Sequence, residues 1–407
     1  MTVRTLTTPR EWLEADRLIA TAFLNPWDEE KAAARVKAQA EGTEPRVERT
    51  WGLFDDADKL AAAVATLDRQ VFFGGTTVGA SELAMVGSRA ESRGKGNVRT
   101  LVAEILADFK ARGDVFATLI PFSASFYRKF GFELASHSLK QRVVINQLAG
   151  LGCELRATHV EHEVDMAAVR TVYDAFAQTR NLASVRTDGD WKWRGNGEFG
   201  KRGFGLDEFR HDTYVLWRGE EPCAYVTFAF KHEPGNPIFG ELVVTDLAYD
   251  GHESFLALLG LLYRLRAKAG HVTLDLHDDI DLATFLPEGD KVERTAQTYV
   301  MLRVLDVARA LQLMPRPDLA GPWTIEVDDA FMPENSGTYR ISYETEEALV
   351  ARRDAAPDLR VSIQTLALLV SGRIGLDGAL LRDGTLLLGN KPLLGRVFQQ
   401  RPTHLAL

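Results

Sequence analysis

Apolar positions along this chain keep two rhythms, one of helices and one of strands. From Glu11 to Leu24, Trp12, Ala15, Leu18, Ile19, Ala22 and Phe23 recur on one helical face. Asp28 to Ala40 predicts a second helix, polar and charged. Arg46–Phe54 and Lys59–Phe73 read as strands around the turn Asp55-Asp56-Ala57-Asp58. A strand over Ala80–Val86, a glycine-rich turn, a helix over Val98–Arg112 and a short strand over Val115–Pro121 follow. Phe132–Ile145 is expected to close the unit as a strand. Helices, an antiparallel meander and then strand–helix–strand predict an α/β domain with a mixed sheet.

Near Ala149-Gly150-Leu151-Gly152 the pattern breaks, and the same rhythm returns. A helix is expected over Asp165–Thr179, and strands over Thr213–Arg218, Pro222–Lys231 and Gly240–Ala248. An apolar helix over Ser254–Ala269 and a strand over His271–Leu276 come next, and Gln297–Val304 is expected to close this unit. A third unit begins near Asp306. It holds strands at Trp323–Asp328, Gly337–Ser342 and Leu359–Ser362 and helices at Gln364–Ser371 and Leu393–Phe398. The expected domains are residues 1–148, 149–304 and 305–407. The fold class is α/β for the first two and α+β for the third.

Composition narrows the function classes. The 407 residues suffice for several cores, and 45% hydrophobic with 26% charged content is that of an ordinary soluble protein. A net charge of −9 argues against nucleic acid and favours cationic small molecules. The two cysteines, Cys153 and Cys223, have no C-x-x-C partner, so no metal site or disulfide framework is expected, and both read as buried apolar residues. Met1 to Pro9 hold no apolar signal core and no run reaches membrane-spanning length, so no membrane role is expected and the expected compartment is the cytoplasm.

The chemistry concentrates at Ser92-Arg93-Gly94-Lys95-Gly96-Asn97-Val98-Arg99, between a strand and a helix. A helix start leaves backbone N–H groups unpaired and carries partial positive charge, which suits a phosphate. Gly94 and Gly96 allow close approach and positive φ, and Arg93, Lys95 and Arg99 add charge. The string is neither a Walker loop nor a dinucleotide fingerprint. At the equivalent point of the second unit, Tyr249-Asp250-Gly251-His252 lacks the basic glycines, which reads as a repeat without cofactor. Downstream, Phe122-Ser123-Ala124-Ser125-Phe126-Tyr127-Arg128-Lys129-Phe130-Gly131-Phe132 places a tyrosine before a Gly-Phe turn. From the residues alone, a core aromatic is the plainer reading of Tyr127.

The glycine turn and the Phe126–Glu133 string resemble the GNAT N-acetyltransferases, and the whole chain resembles their enhanced-intracellular-survival (Eis) family. Arg93 and Gly96 match the family's cofactor motif, while Val98 departs from its final small residue. Arg186-Thr187-Asp188-Gly189-Asp190-Trp191-Lys192-Trp193-Arg194 resembles a tryptophan-rich segment of the family's second domain. The resemblance implies two tandem GNAT-like domains, the second degenerate, and a C-terminal domain like sterol carrier protein. It implies that the amides of Arg93, Gly94, Lys95, Gly96, Asn97 and Val98 hold the pyrophosphate of acetyl-CoA. The strand at Met85 and Val86 would pair with the pantetheine arm, near Ser123. Tyr127 would be the general acid for the CoA thiolate, and the terminal carboxylate, here on Leu407, the base. A homo-oligomer, a hexamer built from trimers, is implied as well.

The acceptor is then a primary amine of a cationic small molecule, aminoglycoside- or polyamine-like, acetylated by direct transfer. Trp27 and Asp28, with Glu29 and Glu30 behind them, are the candidates for its aromatic wall and acid, and a solvated helix start is the plainer reading of those acids. The tail Arg401–Leu407 has no acid. That weakens an aminoglycoside without weakening amine acetylation. A protein lysine acetyltransferase and a non-enzymatic acyl-CoA- or lipid-binding protein stay open as alternatives.

Overall fold

The computed structural model describes residues 1–41, 48–136, 138–152, 154–161, 165–194, 211–236, 238–277, 280–318, 321–343 and 348–404. Leu407, Cys153 and the expected start of a strand at Arg46 lie outside the described residues.

The chain opens with β1 (Thr2–Thr5), α1 (Pro9–Ala22) and α2 (Glu29–Ala40), followed by β2 (Glu48–Phe54), β3 (Leu60–Leu67), β4 (Gln70–Phe73) and β5 (Thr76–Ser88). Then come α3 (Asn97–Ala111), β6 (Phe116–Leu119), α4 (Ala124–Arg128) and β7 (Glu133–Leu134). The next run is β8 (Ser138–Val144), β9 (Arg156–His159), α5 (Met166–Gln178), α6 (Asp188–Arg194), β10 (His211–Arg218), β11 (Glu221–His232), β12 (Gly240–Tyr249), α7 (His252–Arg264), β13 (Ala269–His277) and β14 (Glu293–Gln297). The last is β15 (Met301–Val304), α8 (Val307–Gln312), β16 (Trp323–Asp328), β17 (Gly337–Ser342), β18 (Leu349–Arg352), β19 (Leu359–Ser362), α9 (Ile363–Ser371), α10 (Leu376–Ala379), β20 (Leu386–Leu387) and α11 (Lys391–Val397). Among the described residues, no helix is long and apolar enough to cross a membrane.

The chain divides into two compact units. Met1–Ala135 with Tyr299–Arg401 form one; Ser136–Thr298, joined by the described residues from Pro402, form the other. In the first unit the large sheet runs β1-β2-β3-β5-β6-β15-β7, with β4 paired to β5. The meander is antiparallel, and β5 and β6 are parallel, joined by α3 as a crossover. Leu101, Val102, Ile105, Leu106 and Phe109 put one stripe of α3 into the core with Leu53, Val64 and Leu83. A second sheet of this unit, β18-β17-β16-β19-β20, belongs to the C-terminal segment. Helix α9 is buried except at Gln364 and packs on β16 and β19 of this sheet and on β15 and β7 of the large one.

The second unit is built on the sheet β14-β8-β13-β12-β11-β10-β9. Its parallel pair, β12 with β13, is again joined by a helix, the apolar α7. Cys223 is buried here, as expected.

Two strand expectations are corrected. Phe132–Ile145 does not close the first unit as one strand. Its beginning forms β7 in the first sheet, whereas β8 pairs between β13 and β14 in the second. Nor does Gln297–Val304 close the second unit: β14 ends at Gln297, and β15 lies between β6 and β7 of the first sheet. The cause is that each sheet lacks a strand next to its parallel pair, and the segment from the other part of the chain fills the gap. All four residues of β15 are buried.

Candidate active site

The site is organised by the parallel pair. β5 and β6 keep register from Ala80 with Phe116 to Leu83 with Leu119, where the ladder ends, although β5 runs on to Ser88. Along that continuation β5 stays paired to β3 on its other side. The register there shifts: Ala65 faces Ala84 and Ala63 faces Gly87, so Val64 stands opposite both Met85 and Val86. This is a β-bulge, and Met85 adopts φ +49° and is 58% exposed, while Val86 packs on the core. The strand edge past Leu83 is therefore free of β6 at Met85 and Val86. Ligands of α/β sheets bind beyond the carboxyl ends of parallel strands, where this opening lies.

β5 leads into the glycine turn. A single 3₁₀ turn, Ala90–Ser92, comes first, with Arg89 anchored on Leu60 O (2.5 Å) and Glu14 (3.0 Å). The Arg93 N–H bonds Ala90 O at 3.3 Å, so its amide is used within the turn. Gly94 and Gly96 take φ +77° and +81°, and a Cβ on either would meet nothing within 4 Å. Gly96 is the N-cap of α3 and has no side chain to satisfy the helix start, whose first turn contains no acid. Thr100 N–H bonds Gly96 O at 3.0 Å, and from Gly94 to Arg99 no backbone N–H finds a protein acceptor among the described residues. Asn97 is buried, and its Nδ2 holds the loop through Ser92 O at 3.2 Å. Lys95 and Arg93 are exposed, Val98 is half-buried against the core, and Arg99 stacks on Phe331 at 4.9 Å.

β6 leads into the tyrosine at the same end of the sheet. Ser123 begins α4 without capping it, and its Oγ lies 3.1 Å from that of Ser125. Tyr127 is 2% exposed among aromatic rings: Phe126 at 5.2 Å, Phe122 at 5.5 Å, Phe132 at 6.2 Å and Phe130 at 6.3 Å. No side chain or carbonyl among the described residues bonds its hydroxyl, and burial pushes the phenol well above its ordinary range. It keeps its proton at neutral pH and so has one to donate. Phe122, 70% exposed, forms the outer edge of this ring cluster.

Trp27 and Asp28 sit between α1 and α2. The end of α1 packs on Gly87 of β5, where an added Cβ would lie 3.1 Å from Leu18 and 3.3 Å from Ala22, which brings the following loop near the carboxyl end of β5. Trp27 is half-buried and its Nε1 has no partner among the described residues. Asp28 caps α2 through Lys31 N–H at 3.0 Å and pairs with Lys31 Nζ at 3.2 Å. Those contacts, the backbone bond foremost, pull its carboxyl below the usual range.

In the second unit, the start of α7 carries a carboxylate where the first unit has open amides. Asp250 accepts from Ser254 Oγ at 2.5 Å and pairs with Arg218 at 2.7 Å. A phosphate there would meet that charge. The Arg186–Trp191 segment is structural: Arg186 makes a two-bonded pair with Asp246 at 2.8 and 2.9 Å and stacks on Tyr173 at 3.6 Å.

Sequence reasoning missed what stands behind Tyr127. Glu133, fully buried, accepts from Arg128 (2.7 Å), Leu134 N–H (3.0 Å) and Arg382 (2.6 Å). The Arg128–Glu133 spacing was visible; Arg382, far along the chain, carried no local signal.

Comparison with known proteins bears on the fold and its domains. The family model described as "Acetyltransferase (GNAT) domain" matches residues 2–135, another of the same description matches 182–304, and "Sterol carrier protein domain" matches 307–405. An uncharacterized N-acetyltransferase of Streptomyces coelicolor is 25% identical over 361 residues, covering 82% of each chain. Eis1 from Mycobacterium abscessus superimposes with a TM-score of 0.81 at 18% identity, over 99% of this chain and 98% of that one. A GCN5-related N-acetyltransferase from Anabaena variabilis gives 0.80 at 17% identity, over 99% and 98%. The chain thus carries two GNAT acetyltransferase domains followed by a sterol-carrier-protein domain, and it has the fold of Eis1.

Proposed function

We propose that this acetyltransferase moves the acetyl group of acetyl-CoA directly to a primary amine of a cationic small molecule, aminoglycoside- or polyamine-like. The observation that carries the reading is the run of unbonded N–H groups from Gly94 to Arg99 at the end of β5, with buried Tyr127 at the same end of β6. In this reading those amides, with the side chains of Arg93 and Lys95, hold the pyrophosphate. The bulged edge at Met85 and Val86 takes the amide groups of the pantetheine arm, with Ser123 beside it. Trp27 and Asp28 stand on the acceptor side, with Asp28 dividing its charge between the amine and its cap.

The amine nitrogen forms a bond to the thioester carbonyl carbon, and the carbon–sulfur bond breaks. Tyr127 gives its proton to the departing sulfur, and the proton lost by the amine passes to the Leu407 carboxylate. Burial raises a thiol as it raises a phenol, so an apolar surround does not by itself oppose transfer between them. Assembly as a homo-hexamer belongs to the same reading, with light scattering as its measure.

Two variants test the roles. Tyr127→Phe keeps the ring and removes the donor; turnover by thiol release is expected to fall about 10²- to 10⁴-fold while acetyl-CoA affinity holds. One glycine appended after Leu407 displaces the terminal charge and is expected to depress turnover without lowering the melting temperature. Near-normal turnover in both sinks the mechanism.

A further inference from the structure

The short helix that carries Tyr127 is weakly made on its own. α4 has five residues and no side-chain cap. Its end is closed by the Tyr127 carbonyl, which accepts from Phe130 N–H at 2.9 Å and Phe132 N–H at 3.4 Å across a turn whose Gly131 has φ +84°. A helix this short is marginal without outside contacts.

Those contacts come from the C-terminal segment of the same unit. Gln364, at the start of α9, gives its Nε2 hydrogen to Arg128 O at 2.9 Å. Arg382 binds Glu133 Oε2 at 2.6 Å and, through Nε, Thr365 at 3.1 Å. Glu133 in turn holds Arg128, the last residue of α4. Burial alone would raise the Glu133 carboxyl, but the bonds from Arg128, Leu134 N–H and Arg382 outweigh it and keep it below the ordinary range. Beneath the turn lies Arg303 of β15, fully buried and paired with Asp329. A Cβ on Gly131 would sit 2.6 Å from the Arg303 guanidinium carbon, so the turn rests directly on that plane.

We propose that the sterol-carrier-like domain serves as a brace for the catalytic turn, with Arg382 as a positioning residue that acts on Tyr127 through Glu133 and Arg128. The proposal rests on the assignment of Tyr127 as general acid. It gives the domain a task in catalysis that needs no lipid. Arg382 is the informative residue to change, because it is one-third exposed and Glu133 keeps Arg128 and Leu134 N–H when it is lost.

The test uses the full chain with Arg382→Met and Arg382→Lys, alone and combined with Tyr127→Phe. Arg382→Met should lower kcat about 10- to 100-fold with KM for acetyl-CoA nearly unchanged, since a small misplacement of a catalytic group acts on turnover. Arg382→Lys, which keeps the charge, should restore part of it. Amide hydrogen exchange over residues 124–134 should quicken in Arg382→Met and stay as in the parent elsewhere. In the Tyr127→Phe background Arg382→Met should cost nothing more. An equal loss in both backgrounds, or unchanged exchange over that segment, overturns the proposal. Should Tyr127→Phe itself retain full turnover, the general-acid assignment falls, and the exchange measurement alone decides whether the brace exists.

Discussion

Gly96 and Gly131 have nearly the same backbone, φ +81° and +84°, and opposite surroundings. A side chain at Gly96 would enter open space, whereas one at Gly131 would strike Arg303. Gly96→Asp should therefore leave the fold intact at a cost of about 1 kcal/mol, since aspartate tolerates the left-handed region. It should weaken acetyl-CoA at least about tenfold by calorimetry, because a carboxylate then stands among the anion-binding amides. Gly131→Ala adds overpacking of roughly 1–3 kcal/mol to its backbone strain and should lower the melting temperature first. Unchanged affinity in Gly96→Asp removes the cradle. At this scale the glycine turn was legible, because glycine spacing before a helix has a direct conformational meaning. The bulge at Met85 was not: a methionine gives no sign that its backbone will take positive φ. The same limit hid the Arg303–Gly131 contact, which joins residues far apart in sequence.

Among the elements, those with strong apolar periodicity were legible and those fixed by long-range pairing were not. α3, β16, β17 and β19 fall where their patterns put them, while the expected strand over Lys59–Phe73 is two, β3 and β4. α1 begins before its apolar stripe does. Its start is set by a capping box: Thr8 accepts from Glu11 N–H at 3.3 Å, and Glu11 accepts from the N–H groups of Thr7 and Thr8 at 3.0 and 3.1 Å. Arg4, bonded to Glu11 at 2.6 Å, is the largest influence on that carboxyl, and with the two backbone donors it pulls the pKa to about 2 against the effect of burial. A carboxyl depressed in the folded state stabilises fully above its unfolded value, about 4.3, and that stability is lost as pH falls toward 2. Glu11→Gln should thus cost about 1–2 kcal/mol at pH 7, less than the whole shift implies because solvent screens the pair. The difference between the two proteins should hold from pH 6 to 8 and shrink toward zero near pH 2. A difference independent of pH would mean that shape, not charge, holds the cap.

For the molecule as a whole, repetition was legible and exchange was not. Each half of the chain carries the strand–helix–strand rhythm, but β8 and β15 read as ordinary closing strands, and nothing in a strand's alternation names its partner. The pairing has a physical consequence. Without β15, the inner edge of β6 and the edge of β7 lose their backbone partners, and the pocket for Arg303 under Gly131 is empty. Met301, Leu302, Arg303 and Val304 are all buried, so the vacancy would expose apolar wall as well as unpaired amides. Residues 1–135, although they span the whole first family match, should therefore not fold cooperatively alone. Co-expression with residues 299–401, which supply β15, Arg382 and Gln364, should yield a soluble pair with one cooperative melt and measurable acetyl-CoA binding. A sharp melt and full affinity from residues 1–135 alone would show that the first sheet closes without the borrowed strand, and that the C-terminal segment is an addition to the acetyltransferase unit and not a part of it.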